Sequence, residues 1–192
     1  MINDQLLLDS LSKFYENEYY KTELLSIIQN KKNVSLRSID WFITNYSKKF
    51  NICYNIYKDK DSIYTFEKND CELVTNINVF HAYKSQLKAY SKKRFDPFCR
   101  RDRIKFNCGG EEIETTIGQL NFFKWAISNL IIEYIVQNKK DIEDDMNLCL
   151  QEMKKNGLIM KKKGERKLRQ ELSLSATRGL SRTHIAIQLN FD

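Results

Sequence analysis

The sequence predicts a helix-rich α+β single domain with small antiparallel β-hairpins and a basic C-terminal arm ending in a strand. Three observations carry that expectation. Apolar residues recur at helical spacing through most of the chain. Two short stretches alternate apolar and polar residues on either side of a turn. Past Gly157 the composition changes to a run of cations followed by strict alternation. The expected division is a globular part over 1–156 and a basic linker with its strand over 157–192. With 192 residues, 42% hydrophobic and 12% aromatic, there is enough apolar surface for one core. That excludes a disordered tail, a collagen-like chain and a disulfide-knotted peptide.

Between residues 4 and 29, Leu7, Leu8, Leu11, Phe14 and Tyr15, then Leu24, Leu25 and Ile28, fit one broken helix or two short ones. Asn33 and Ser35 are both suited to cap a helix from about 35 to 48, whose apolar content is Leu36, Ile39, Trp41, Phe42, Ile43 and Tyr46. Ile52, Tyr54 and Ile56 alternate up to Lys58-Asp59-Lys60-Asp61, and Ile63, Tyr64 and Phe66 resume, which predicts a hairpin. A helix is expected from about Asn78 to Arg94, with Phe80, Tyr83, Leu87 and Tyr90 as its stripe; Pro97 forbids continuation. A second hairpin runs through Ile104, Phe106 and Cys108, turns at Gly109-Gly110 and returns to Thr116.

Thr116 with Gln119 has the form of a capping box. It opens a helix near 117–136 that is apolar around most of its circumference, hence the expected central core helix. Residues 141–155 predict another helix, with Ile142, Met146, Leu150 and Met153 on one face and solvated acidic residues in its first turn. At the end, Ile185, Ile187, Leu189 and Phe191 alternate as a strand that needs a partner edge, its own or a neighbour's. Tyr46-Ser47-Lys48-Lys49 recurs as Tyr90-Ser91-Lys92-Lys93, each at a helix end, by duplication or because cations favour that end.

Five scattered cysteines, with no signal-peptide pattern and no apolar run long enough to span a bilayer, point to a soluble protein of a reducing compartment. The net charge is +7, and its placement is more informative than its total. Usage rich in Lys, Ile, Asn, Phe and Tyr is what an A/T-rich genome produces, so part of the lysine count reflects codon bias. Residues 81–106 hold nine cations and two acids and residues 154–192 hold ten and three, whereas 107–153 is net acidic. The first basic zone comprises Lys84, Lys88, Lys92, Lys93, Arg94, Arg100, Arg101 and Arg103, continuing to Lys105 and interleaved with Phe95, Phe98 and Phe106. The second comprises Lys161, Lys162, Lys163, Arg166, Lys167 and Arg169 in the arm, with Arg178 and Arg182 beyond. Cations mixed with aromatics suit a polyanion, because neutralised phosphates release counterions and ring faces stack on bases. The competing reading pairs these cations with the acidic stretch or with a protein partner. No zinc-finger, zipper or RNA-recognition signature accompanies either zone, so sequence-specific readout is not expected.

Catalytic chemistry is poorly represented. Cys71, His81, Cys99 and Cys108 have the donor atoms for zinc but none of the short spacings that preorganise a site. Glu165-Arg166-Lys167 has the Glu-x-Lys form of some metal-dependent nucleases but stands in the linker. Glu112, Glu114, Asp144 and Asp145 are carboxylates at a turn and a helix start, where solvation is the ordinary state. Phosphate-cradling glycine motifs are absent. No catalytic residue, metal or cofactor is assigned, and a non-enzymatic protein is expected.

The stretches Ser38 to Lys49, Tyr83 to Arg101 and Thr116 to Ile127, with Glu171 to Arg178 and Ile187 to Asp192, resemble a family of small uncharacterised proteins of nucleocytoplasmic large DNA viruses. The resemblance implies a viral protein of the infected host cell's cytoplasm or nucleus, or of the virion. It transfers no catalytic or binding residue. Joined to the basic zones, it gives as partners viral DNA or RNA, or else viral structural proteins, with no membrane. The alternatives are thus a nucleic-acid-contacting protein, an assembly protein that uses the C-terminal strand, and a metal-dependent nuclease.

Overall fold

The computed structural model describes residues 4–58, 64–68, 71–100, 102–108 and 110–159. Chain contacts divide it into two units, Met1–Met153 and Lys154–Asp192. The described fold is the expected helix-rich α+β domain with small antiparallel sheets. The arm and its terminal strand lie outside the described residues.

Two short helices open the chain, α1 (Asp4–Phe14) and α2 (Glu18–Ile28), the second capped by the Asn17 side chain, which accepts from the Tyr19 N–H at 3.0 Å. Of the two cap candidates for the next helix, Ser35 acts, accepting from Ser38 N at 3.0 Å, while Asn33 takes a left-handed φ of 54° that asparagine tolerates. That helix, α3 (Leu36–Trp41), widens into a π-helical turn (Phe42–Tyr46) before α4 (Ser47–Lys49). The Thr44 and Ser47 hydroxyls donate back to Asp40 O and Ile43 O, so side chains take up carbonyls along the irregular ladder.

The first sheet is larger than the predicted hairpin. Strands β1 (Cys53–Lys58) and β2 (Tyr64–Thr65) pair as expected, and β3 (Glu72–Asn78) adds on the other side of β1, giving the antiparallel order β2-β1-β3. Residues Glu72 to Asn76 are exposed, so β3 lacks the buried face whose alternation announces a strand. A register shift between Ile56 and Tyr57 turns Leu73 and Val74 outward together. Asn78 then caps α5 (Val79–Arg94), accepting from His81 N at 3.1 Å. Strands β4 (Ile104–Cys108) and β5 (Glu111–Thr115) form the second hairpin as expected.

The predicted core helix is present but broken in two, α6 (Ile117–Ser128) and α7 (Ile131–Gln137). Leu130 takes a left-handed φ of 54° and is buried with Ile56 and Ile77, so the break drops an apolar side chain onto the first sheet. Tyr54 Oη donates to Asn129 O at 2.7 Å, taking up a carbonyl freed by the break. Helix α6 is the centre of the core. Leu120, Phe122, Phe123, Ala126 and Ile127 are buried, and α6 packs against α1, α2 and α5. Each phenylalanine hidden this way contributes about 1.5–3 kcal/mol.

Thr116 caps α6 as expected, accepting from Gln119 N at 3.1 Å, but the reciprocal half of the box is absent. The Gln119 side chain instead accepts from Thr115 Oγ1 and donates to Pro97 O at 2.9 Å. Asn121 Nδ2 donates to Arg94 O at 2.8 Å, so the chain leaving α5 is docked on the start of α6. Gly118 permits that approach: a Cβ there would sit 3.0 Å from Lys93 O. The last helix, α8 (Lys139–Ile159), starts earlier and runs further than the predicted 141–155, continuing through Gly157.

Candidate nucleic-acid interface

Helix α5 presents Lys84 and Lys88 one turn apart, Lys92 follows the break in the helix at Ser91, and all three are exposed. None has an acidic group within 4.0 Å among the described residues. Lys93 is exposed as well, and its charge, with that of Arg94, bears on Asp4. Arg94 pairs with Asp4, whose carboxyl is held below its ordinary range chiefly by that hydrogen bond.

The cations after Pro97 are engaged differently. Arg100 lies 3.7 Å from Asp96 with its guanidinium over the Phe98 ring at 4.1 Å. Arg103 pairs with Glu114 at 3.0 Å and Lys105 with Glu112 at 2.7 Å, across the β4–β5 hairpin. The hydrogen bond to Glu114 raises the Arg103 guanidinium further above its ordinary value. Arg94, Arg100, Arg103 and Lys105 thus pair inside the chain, whereas Lys84, Lys88 and Lys92 have no acidic partner among the described residues. Arg101 and the arm cations Lys161, Lys162, Lys163, Arg166, Lys167 and Arg169 lie outside the described residues.

The interleaved aromatics are mostly not available for stacking. Phe95 is 1% and Phe106 7% exposed, because Phe95 fills the space between Phe122 and Trp125 and Phe106 faces Tyr15. Accessible rings stand elsewhere, at the opposite end of α5. Phe80 is half-buried, with the Lys48 and Lys84 ammonium groups 5.6 and 5.4 Å from its centroid and the exposed His81 edge-on at 5.8 Å. Phe50 is 50% exposed, with Lys49 Nζ 5.1 Å from its centroid and the Tyr46 ring at 4.5 Å. The segments carrying these rings are tied together. Asn78 Nδ2 donates to Asn51 Oδ1 at 2.8 Å, and Val79 N donates to Ile52 O at 3.1 Å. The capped N-terminus of α5, the positive end of its dipole, lies at this junction. The Tyr-Ser-Lys-Lys repeat flagged Lys48 and Lys49, but no sequence signal joins them to Phe80, some thirty residues on.

The carboxylates considered for metal chemistry are engaged separately: Glu112 and Glu114 in the hairpin pairs, and Asp145 in the core. Asp145 departs from the expected solvated state. It is 8% exposed, accepts from Trp41 Nε1 at 3.1 Å and pairs with Lys49, joining α3 and α4 to α8. Among the described residues no three His, Cys, Asp or Glu side chains converge as metal ligands. The thiols of Cys99 and Cys149 are raised by burial, the opposite of an activated nucleophile. Burial also raises Glu133, although Lys32 stands 3.2 Å away and bonds Glu23 as well.

Residues 2–173 match the model of a family of unknown function, DUF7197. An uncharacterised protein of Acanthamoeba polyphaga mimivirus is 38% identical over 176 residues, covering 88% of this chain. The chain spans 61% of that relative's length. No solved structure matches.

Proposed function

The chain belongs to the DUF7197 family and has a giant-virus relative, as the sequence resemblance anticipated, and from that premise we propose that it is a non-enzymatic viral protein that contacts viral nucleic acid through exposed cations. The observation that carries this reading is the row Lys84, Lys88 and Lys92, exposed and without acidic partners among the described residues, beside a helix end of the same sign. Such a row follows a phosphate backbone and carries no donor–acceptor code for bases, so sequence-independent binding is the consequence. The arm cations extend the same chemistry. The site of action is the infected cell's cytoplasm or nucleus, or the particle; among the described residues no helix is long and apolar enough to cross a membrane.

Fluorescence anisotropy with a labelled duplex of arbitrary sequence tests the reading. Binding is expected at low salt, weakening as salt rises, and weakened again in the Lys84→Gln/Lys88→Gln/Lys92→Gln variant. Absence of binding at low salt would overturn it, as would affinity unchanged both in that variant and on truncation after Ile159.

A second reading, an assembly protein, draws support from β3. No strand lies beyond it among the described residues, and it exposes Leu73 and Val74, 55% and 47% accessible, along an open edge. Mass spectrometry of fractionated virions separates the two, since an assembly role requires the protein in the particle.

A further inference from the structure

We propose that the α4–α5 junction is a stacking platform for unpaired bases, so that the nucleic acid this protein prefers is single-stranded; the inference rests on the nucleic-acid reading above. The large phenyl rings of the core, Phe42, Phe95, Phe122 and Phe123, are buried, whereas Phe50 is half-exposed and Phe80 only partly covered. These two rings occur on chain segments held side by side by the Asn51–Asn78 and Ile52–Val79 hydrogen bonds. Each has an ammonium group 5.1–5.6 Å from its centroid, Lys49 at Phe50 and both Lys48 and Lys84 at Phe80.

That combination answers the two features of a single strand. A base without a pairing partner has a free π-face to lay on a phenyl ring, and its phosphate lies within reach of Lys48 and Lys84 beside Phe80. A duplex keeps its base faces stacked inside and offers the rings nothing. From Lys84 the row continues to Lys88 at a step of about 6 Å along the helix, and Lys92 follows beyond the break at Ser91, so a strand seated on the rings has cations leading away from them. Lys49 is also tied to Asp145, which fixes one side of the platform to α8 and reduces the ordering that binding would require. Stacking of this kind is indifferent to base identity, in keeping with the lack of sequence readout.

The test compares a labelled oligothymidine of about 15 nucleotides with a duplex of the same length by anisotropy at fixed salt, using the full chain. The variant is Phe50→Leu/Phe80→Leu, which keeps apolar bulk at both positions and removes the aromatic faces. The wild type is expected to favour the single strand by about tenfold, and the variant to lose most of that preference with its duplex affinity unchanged. In a second measurement, 2-aminopurine placed in the strand is quenched on binding to the wild type and not to the variant. Equal affinity for both nucleic acids, or a preference that survives in the variant, overturns the platform while leaving the nucleic-acid reading intact. Failure to bind either nucleic acid overturns both.

Discussion

Tyr46-Ser47-Lys48-Lys49 and Tyr90-Ser91-Lys92-Lys93 are the same four residues near the ends of two helices, and the fold uses them in opposite ways. Ser47 is fully buried and donates to Ile43 O at 3.1 Å, Lys49 is tied to Asp145, and Tyr46 sits between Phe42 and Phe50. Ser91 is exposed at φ 60°, ψ 167°, where it interrupts α5, and Lys92 and Lys93 are exposed. Both motifs place cations where a helix dipole favours them, which is as far as local sequence reaches. Whether the motif is pinned depends on what packs beside it. The first meets the buried carboxylate of α8, and the second meets water until the chain is recaptured by α6.

The largest effect should come from removing the pin. Asp145→Ala leaves Trp41 Nε1 buried without an acceptor and frees Lys49, so urea denaturation should register a loss of about 3 kcal/mol. Lys93→Ala, in the second motif, should stay within about 0.5 kcal/mol. Equal effects would erase the contrast. Next is Gly118→Ala, which tests how the second motif is held. The added methyl would stand 3.0 Å from Lys93 O and 3.4 Å from Phe95 N, and displacing that backbone should cost about 2 kcal/mol.

Smaller, and opposite in sign at the two sites, is the exchange of serine for glycine. At Ser91 the backbone occupies a region suited to glycine, so Ser91→Gly relieves strain of about 1–3 kcal/mol and gives back part of it in unfolded-chain entropy. A net gain of about 1 kcal/mol is expected in thermal or urea unfolding. Ser47→Gly has no strain to relieve and loses a buried hydrogen bond within a helix, so it should destabilise by about 1–2 kcal/mol. Two changes of the same sign would show that the backbone difference has no energetic content.

Much of this fold was legible because its signals are local. The Thr116 cap, the β4–β5 alternation around its glycine turn and the four-residue lysine spacing in α5 are each set within a few residues. Features that depend on distant partners were not. Strand β3 exists because β1 offers an edge, and its exposed residues carry no alternation. The break at Leu130 follows only two polar residues, Ser128 and Asn129, in a stretch that otherwise reads as one apolar helix, and only the sheet below rewards turning that side chain down. Asp145 looked like a solvated first-turn acid until Trp41 and Lys49 closed over it. The same limit divides the candidate site. The lysine row is periodic and therefore visible, whereas Lys48 beside Phe80 joins residues on separate helices.

The smallest effect is a pH dependence that distinguishes the pinned lysine from its counterpart. The Lys49 ammonium is held above its ordinary value of 10.5, first by its hydrogen bond to Asp145 and then, against some desolvation, by the charges of Asp145, Cys149 and Glu152. A base whose folded pKa is raised stabilises the fold fully below its unfolded pKa, and the contribution is lost as pH rises through the folded value. Buried phenols act in the same alkaline range. Tyr54 and Tyr83 are pushed above 10.0 chiefly by burial, so the unfolded chain ionises first and stability falls in every variant. The informative quantity is therefore a difference. The stability gap between wild type and Lys49→Met should hold steady from neutral pH to about 10 and narrow above it, in urea midpoints read against Lys93→Met, which removes the same charge without touching Asp145. A gap that widens with pH would mean that Lys49 is stabilised less in the fold than in the unfolded chain, and the first motif would then be held by Ser47 and Tyr46 alone.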